Sequence, residues 1–366
     1  MIYFLVNNNF HLIDVEHHLK DLKEFKTGLI KIPHNLTLTT EKKFDFQIEF
    51  KKPISNLKDH FKIYKFYKTH QKIKNKFKDI KPTDTLVIYT EYEYLNHYII
   101  KIFKKINAKV ILIEEGFPTY LTFSILPDSK LPLKKIILSW YLKNILRYNT
   151  SNIKSINKIQ NTQVNDNQID LILLYNNINI KRKIKSGLLH TSNKIYDNLN
   201  ENKIIFLNEG IYWYYVNIEE YKKIINDILD NLSNNFENVY FKFHPREKEI
   251  EKNITRNIIK NYSNIQIIEE NSPVELMISK IGAKYIASFL SQTNLYISNS
   301  NCISIYLFHL YPEIMKNIAF QSVKNVIDEM NYSFLNDWSE IKNEKIGFTK
   351  IKEEANSLLY YIESLK

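Results

Sequence analysis

A histidine and three short groups of carboxylates and hydroxyls are the residues of this chain best placed to do chemistry. The histidine follows Tyr240-Phe-Lys-Phe243, whose alternating aromatic residues predict a buried strand. Because Pro245 disfavours the helical conformation for His244, the strand is expected to end at this histidine. A histidine at the carboxyl end of a sheet strand lies where open α/β sheets bind ligands, and its imidazole can protonate a leaving phosphate. A His-Pro pair on its own is more often structural, so the assignment depends on the other groups.

Two adjacent carboxylates, Glu114 and Glu115, follow a predicted apolar strand at 110–113 and precede Gly116. In an enclosed site, one of them could take a proton from a substrate hydroxyl. A solvated turn at Gly116 is the simpler alternative. A further carboxylate, Glu209, follows the predicted strand at 203–207 in the same way.

Two more segments lie at predicted helix starts. Ser272 suits the N-cap position, Pro273 the first helical position and Glu275 the third, as in a capping box. This structural explanation is sufficient, although a carboxylate there could also bind the hydroxyl pair of a ribose. Ser288 and Ser291 lie at the end of a predicted strand, where hydroxyls and backbone amides could hold a phosphate or cap a helix.

Several familiar motifs are absent from the sequence. It has no Asp-x-Asp pair, no Cys and His cluster with metal-ligand spacing, and no GxGxxG, P-loop or GxSxG motif. The sequence therefore disfavours a metal-dependent nucleotide-sugar enzyme and a serine hydrolase of the usual type.

The elements that must position these residues alternate between strands and helices. The first series predicts strands at 2–6, 28–32, 85–89 and 109–113, and helices at 11–25, 51–78, 91–106 and 133–146. After a polar stretch at 149–168, the second series predicts strands at 170–175, 203–207, 239–243, 265–268 and 284–289, and helices at 218–232, 273–281, 303–310 and 349–365. In the helix at 218–232, Ile218, Tyr221, Ile225, Ile228 and Leu232 are expected to share one apolar face.

This rhythm predicts an α/β protein with two Rossmann-like, doubly wound parallel-sheet domains facing a ligand cleft. The polar stretch places the domain boundaries at 1–165 and 166–340. A C-terminal helix within 341–366 is expected to pack back on the N-terminal domain.

The net charge of +11 is concentrated in one segment, Lys51–Lys81, which holds eleven lysines and two aspartates. Apolar residues recur there at roughly helical spacing, which predicts a basic amphipathic helix. A solvated lysine face and contact with an anionic surface, either lipid headgroups or an acidic glycan, explain this pattern equally well. Because arginine is scarce and no nucleic-acid-binding motif is present, nucleic acid is not expected as a partner.

The single cysteine, Cys302, excludes an intrachain disulfide framework, suits a reducing cytoplasm and is expected to be a buried apolar filler. The longest uncharged run, at 285–312, carries too many amides and hydroxyls for a membrane span. With no signal peptide recognisable, we expect a cytoplasmic protein with optional peripheral contact at the inner face of a bacterial inner membrane.

Four motifs occur in a fixed order: Glu-Glu-Gly at 114–116, Phe-Lys-x-His-Pro at 241–245, Pro-x-Glu-Leu-Met at 273–277 and Ala-Ser-x-x-Ser at 287–291. This set resembles the bacterial GT-B sialyltransferases, which include the polysialyltransferases and the lipooligosaccharide sialyltransferases. Those enzymes carry a D/E-D/E-G motif in the N-terminal domain, and a His-Pro and a Ser-Ser/Thr motif in the C-terminal domain. In this sequence the two serines are separated by two residues.

The resemblance implies an inverting transfer of sialic acid, or of a related nine-carbon acid sugar, from CMP-sialic acid without a metal or other cofactor. The acceptor would be a glycan or glycolipid of a capsule or lipooligosaccharide, held by the N-terminal domain. Glu114 matches the general base and His244 the acid that assists departure of CMP, with Glu115 and Glu209 as reserve bases. The residues that the resemblance places at the CMP site of the C-terminal domain are Lys242, Pro245, Glu275, Ser288 and Ser291.

Two alternatives remain open from the sequence. A capsule Kdo transferase or a CDP-glycerol glycerophosphotransferase also uses His-Pro-type motifs and cytidine nucleotides. A noncatalytic basic scaffold that binds a membrane or nucleic acid would instead depend on the lysines at 51–81.

Overall fold

The structure of the protein is a computed structural model, and it divides into two compact units, residues 1–190 with 353–366 and residues 191–352. The residues described are 1–366 without 37, 51–62, 92–93, 117–165, 176–179, 181, 190–195, 210–215, 245–246, 248, 270–271, 298–299, 317–323, 325, 330–331, 344 and 349–354. The predicted helix at 133–146, the polar stretch at 149–165 and Pro245 lie outside the described residues.

The first unit contains a seven-stranded parallel sheet in the order β3-β2-β1-β4-β5-β6-β7. Its central strands β1, β4, β5 and β6 are nearly continuous runs of buried apolar residues, as parallel strands covered on both faces require. The strands are β1 Ile2–Asn8, β2 Thr27–Asn35, β3 Phe46–Glu49, β4 Thr85–Ile88, β5 Lys109–Ile113, β6 Leu171–Leu174 and β7 Ser186–Leu188. The helices are α1 Asn9–His18, α2 Ile63–Lys76 and α3 Tyr94–Lys105.

The second unit contains a five-stranded parallel sheet in the order β10-β9-β8-β11-β12, and a short antiparallel pair, β13 with β14. The strands are β8 Asn200–Leu207, β9 Asn238–Lys242, β10 Ile265–Ile268, β11 Ala283–Ser288, β12 Ile303–Tyr306, β13 Tyr332–Ser333 and β14 Gly347–Phe348. The helices are α4 Ile218–Asn235, α5 Glu249–Ile259, α6 Val274–Ile281, α7 Gln292–Ile297 and α8 Pro312–Met315. Two parallel-sheet, Rossmann-like units confirm the predicted fold class.

Helix α4 shows how the local sequence sets an element. Asn217 accepts the N–H groups of Glu219 and Glu220, while the Glu220 carboxylate returns a bond to the Asn217 backbone, so the helix begins with a complete capping box. The predicted apolar face is buried except at its start, where Ile218 is 36 % exposed. Helix α4 packs on β9 through this face.

The domain boundary predicted at 165–166 is too early, because the first unit extends to residue 190 and includes the strands β6 and β7. Strand β6 pairs with β5 in the first sheet, with Ile111 opposite Leu171, and β7 pairs with β6. The buried Arg182 side chain ties this region down further, because it donates to Glu91 and, through Nε at 3.0 Å, to Asp166. Strands β6 and β7 therefore belong to the first unit, which extends to residue 190.

The predicted helix at 303–310 is also wrong, since it consists of strand β12 followed by one 3-10 turn at Phe308–Leu310. A short buried run of apolar residues has no period that separates strand from helix. Pairing with β11 decides the conformation of this segment.

The C-terminal helix α9 (Leu358–Ser364) belongs to the first unit. It begins at Leu358 because Ser357 caps it by accepting the N–H of Tyr360. The Tyr361 hydroxyl donates to the Leu188 carbonyl at 2.8 Å, and a Cβ atom at Gly187 would lie 2.5 Å from the Tyr361 ring. The glycine in β7 therefore permits the close approach of this helix.

Among the described residues, none of the helices combines the length and the apolar character needed to cross a lipid bilayer.

Candidate active site

In the first sheet, the strands β1, β4, β5 and β6 are neighbours, so the polar residues that follow them lie along one edge. Glu114 follows β5 and is completely buried. Its Oε2 atom accepts the N–H of Tyr175 at 2.7 Å, at the end of the neighbouring strand β6. This carboxylate therefore satisfies a backbone donor that the ladder of the sheet leaves without a carbonyl.

Glu115, the next residue, has a different environment. Its side chain is 24 % exposed, and Oε1 accepts from His11 Nε2 at 3.1 Å and from Asn8 Nδ2 at 3.4 Å. His11 is completely buried in the first turn of α1, where its backbone N–H is capped by Asn8. We call Asn8, His11 and Glu115 the Glu115 cluster.

Asp14 and its hydrogen-bond partners support this edge of the sheet. Asp14 accepts the hydroxyls of Tyr89 at 2.8 Å and of Tyr175 at 2.6 Å, and pairs with His18 at 3.1 Å. Burial opposes the charged form, but the charge of His18 and the bonds from His18, Tyr175 and Tyr89 hold the pKa of Asp14 below its usual value. Asp14 thereby fixes Tyr89, which stacks on His11, and Tyr175, whose N–H binds Glu114.

In the second sheet, β9, β8 and β11 are neighbours, so His244, Glu209, Ser288 at the end of β11 and Ser291 after it reach one edge. His244 is half-buried, and its N–H donates to Glu247 Oε1 at 2.7 Å. Asn208 donates through Nδ2 to the same oxygen at 3.0 Å and lies within 2.9 Å of the Tyr221 hydroxyl. The buried Glu247 thus holds the backbone at His244 in place and leaves the imidazole partly accessible.

Other predicted CMP-site residues are less open. Lys242 is buried in β9, and its carbonyl accepts the Asn208 N–H at 2.9 Å. Ser288 is completely buried, and its Oγ accepts the Ser291 N–H at 3.0 Å. Ser291 Oγ lies 3.3 Å from the N–H of Thr293, so both serines take part in the turn that precedes α7.

The helix predicted to begin at Pro273 begins one residue later. Helix α6 begins at Val274 with Pro273 as its N-cap, one residue later than predicted, and no side chain caps it. Glu275 is the second residue of this helix, and its side chain lies outside the described part of the chain.

Glu209 follows β8, and its carboxylate accepts the N–H of Leu290 at 2.5 Å, across to the chain that leaves β11. The residue keeps some exposed surface, but protein surrounds the carboxyl group itself. This burial raises the pKa of Glu209 to about 8, against the smaller opposing effect of the bonds from the Leu290 and Phe289 backbone.

A cavity of about 790 Å³ lies at the opposite, amino-terminal edge of the second sheet, beside the starts of β8, β11 and β12. Its polar groups bind one another: the Asn301 amide pairs with both backbone groups of Tyr196, and Lys284 pairs with Glu201 at 2.7 Å. The cavity contains none of the predicted catalytic residues, so we place the candidate site at the carboxyl edges.

In the part of the chain that the structure describes, His, Cys, Asp and Glu form no group of three arranged to hold a metal ion.

A comparison with family models decides the identity of the chain. The model described as "Alpha-2,8-polysialyltransferase (POLYST)" matches residues 4–309. The chain belongs to this alpha-2,8-polysialyltransferase family. It is therefore a sialyltransferase-type glycosyltransferase, which excludes the noncatalytic scaffold. Among curated protein sequences, no match to the chain is found.

Solved structures similar to this polysialyltransferase-family enzyme agree on the fold. S. aureus MnaA, solved with UDP, has a TM-score of 0.53 at 11 % identity, over 95 % of this chain and 91 % of that one. The UDP-GlcNAc 2-epimerase of Neisseria meningitidis, bound to UDP-GlcNAc, has a TM-score of 0.52 at 10 % identity, over 100 % and 99 %. The UDP-GlcNAc 2-epimerase of Methanocaldococcus jannaschii has a TM-score of 0.53 at 12 % identity, over 100 % of this chain and 99 % of that one. At these identities the likeness shows the GT-B fold alone.

Three residues that support the candidate groups within their own units were not predicted from the sequence. His11 lies 104 positions before Glu115, and its place at the first turn after β1 was the available signal. Glu247 and Asn208 support His244, and each follows a strand that the sequence predicts.

The support of His244 by Glu247 gives a testable expectation. Replacing Glu247 by Ala removes the acceptor of the buried Asn208 amide and of the part-buried His244 N–H, and should cost about 1–3 kcal/mol for each donor left without a partner. Glu247→Gln keeps an acceptor oxygen and should lose less. Thermal unfolding followed by circular dichroism measures the difference, with the exposed Glu237→Ala as control. Equal melting temperatures for E247A and the control would refute the supporting role.

The raised pKa of Glu209 predicts a pH-dependent stability. Because the folded state binds this proton more tightly than the unfolded chain, the contribution is complete below pH 4.5 and is lost as the pH rises through about 8. Between pH 5 and pH 8, urea unfolding should show a loss in the wild type that exceeds the loss in Glu209→Gln by about 1 kcal/mol or more. The exposed Glu313→Gln serves as control, and equal pH slopes in all three proteins would contradict the assignment.

Proposed function

We propose that this enzyme transfers sialic acid, or a related nine-carbon acid sugar, from its CMP donor to a terminal sugar of a bacterial capsule or lipooligosaccharide. The transfer inverts the anomeric centre and requires no metal. The observation that carries the proposal is the half-buried His244, held at the carboxyl end of β9 by Glu247 in a chain of the polysialyltransferase family.

On the donor side, the sugar has a tertiary anomeric carbon, so its transition state resembles an oxocarbenium ion. The bond to the CMP phosphate breaks early and places negative charge on the leaving phosphate. His244 donates a proton or a hydrogen bond to this phosphate and thereby replaces the charge that a metal supplies in other glycosyltransferases. The predicted roles of Lys242, Pro245, Glu275, Ser288 and Ser291 in binding CMP belong to this half of the proposal.

On the acceptor side, inversion requires a base on the face of the sugar opposite to the leaving group, as in inverting glycosidases. We assign this role to the pair Glu114 and Glu115. Glu209 remains the reserve, but with a pKa of about 8 it is mostly protonated at neutral pH and is then a poor base. Glu114 already binds the Tyr175 N–H at 2.7 Å. The two neighbouring carboxylates therefore differ in their environment, and this difference bears on which of them is the base.

The proposal also includes peripheral contact with an anionic membrane through the lysines of α2. In the described part of this segment the apolar side chains are used inside the first unit, because Ile73 in α2 and Phe77, directly after the helix, are buried. Lys68, Lys72, Lys74 and Lys76 are exposed instead, so an electrostatic attachment, without insertion of apolar side chains, suits this surface. The part of the basic segment at 51–62 lies outside the described residues.

Donor selection tests the chemistry. The purified wild type should release CMP from CMP-sialic acid and transfer the sugar to one of a panel of galactosides and sialosides. His244→Ala should lower turnover by about 10²–10⁴-fold, since it removes the general acid, with a melting temperature within about 2 °C of the wild type. His17→Ala, at the far end of α1, is the matched control. CMP release from CMP-Kdo or from a CDP-glycerol donor alone, or full turnover by H244A, would overturn the proposal.

The membrane contact makes a separate prediction. Reversing Lys68, Lys72, Lys74 and Lys76 of α2 to Glu should weaken binding to phosphatidylglycerol vesicles by about 10³-fold or more, because each lysine contributes about 1 kcal/mol. Reversal of the exposed Lys223, Lys260, Lys280 and Lys316 changes the net charge equally and should have a smaller effect. Vesicle sedimentation at low and physiological salt measures both. Unchanged vesicle binding with weaker binding of a soluble polysialoside would assign the lysines to an acidic glycan.

A further inference from the structure

We propose that His11 is a positioning residue that orients Glu115 as the base for the acceptor hydroxyl, an inference that rests on the proposed function. The two neighbouring carboxylates differ in access: Glu114 is completely buried, whereas the Glu115 side chain is 24 % exposed. A base must reach the proton that it removes. Glu115 is therefore the member of the pair that an acceptor sugar can meet.

The tautomer of His11 follows from its backbone contact. The N–H of Asn7 donates to His11 Nδ1 at 3.1 Å, so Nδ1 carries a lone pair and the ring hydrogen is on Nε2. Nε2 lies 3.1 Å from Glu115 Oε1, to which it donates in this tautomer, and 3.1 Å from Asn8 Nδ2, whose amide hydrogens then serve Glu115 Oε1 at 3.4 Å.

The ring itself is held rigidly. It stacks on Tyr89 with the centroids 4.7 Å apart and the planes 14° from parallel, and Asp14 accepts the Tyr89 hydroxyl. Asn7, which fixes Nδ1, is buried and exchanges amide hydrogen bonds with Asn96 at 3.1 and 3.3 Å. His11 cannot pass a proton onward through Nδ1 without breaking the bond from Asn7, so it acts by holding Glu115 and does not relay protons.

The acceptor O–H bond breaks and its proton passes to Glu115, while the oxygen forms a bond to the anomeric carbon. The bond from that carbon to the phosphate oxygen breaks, and the phosphate takes the proton of His244. His11 keeps its hydrogen throughout and sets the direction in which Glu115 faces.

Two substitutions at His11 isolate its bond to Glu115. His11→Phe keeps a ring against Tyr89 but has no donor, whereas His11→Gln has an amide donor close to the position of Nε2. Both lose the acceptor for the Asn7 N–H, so they share that structural cost. We expect H11F to lower kcat for transfer by about 10- to 100-fold, less than the loss of a base itself costs, with KM for the donor within about 2-fold. H11Q should recover at least about 5-fold of this loss.

A spectroscopic measurement accompanies the kinetics. In the full chain with ¹⁵N-labelled histidine, His11 should show the Nε2–H tautomer, and Glu115→Gln should shift its Nε2 resonance. An Nδ1–H tautomer, no response to E115Q, or equal kcat values for H11F and H11Q would overturn the role of His11. If the wild type transfers no sugar from any donor, the proposed function fails and the role of His11 fails with it. If the wild type transfers and H11F equals it, the role of His11 alone fails.

Discussion

The structure depends on how backbone N–H groups are satisfied where parallel strands end. Beyond the last pair of the ladder, a buried N–H has no carbonyl opposite it and must find another acceptor. In this enzyme carboxylates supply it: Glu114 for the Tyr175 N–H, Glu209 for Leu290 and Glu247 for His244. The same edges carry the groups of the proposed chemistry, since these carboxylates lie beside His244 in the second unit and Glu115 in the first. Structural order and proposed chemistry therefore arise from one set of acidic residues.

Much of the fold was predictable because most strands are short apolar runs bounded by polar residues. Strands β1, β5 and β10 and the face of α4 were predicted nearly as they occur. The errors have a common cause, which is that pairing partners are not visible in local sequence. Strand β6 joins the first sheet through β5, and β12 is a strand because it pairs with β11. No periodicity within a four-residue run could have supplied either fact.

The candidate site was predictable at the level of motifs, and less so for the role of each side chain. The sequence places Glu114 and Glu115 side by side, but only tertiary packing makes one completely buried and leaves the other accessible. Similarly, the elevated pKa of Glu209 follows from the enclosure of its carboxyl group. His11 acquires its importance from a contact with a residue 104 positions away, which a single sequence does not reveal.

The most direct test of the central claim is a crystal structure of the full chain with an unreactive donor such as CMP-3-fluorosialic acid. We predict that the donor phosphate binds at the carboxyl edge of the second sheet, about 3 Å from the His244 imidazole. A phosphate bound instead in the cavity beside Lys284, at the opposite edge of that sheet, would contradict the account.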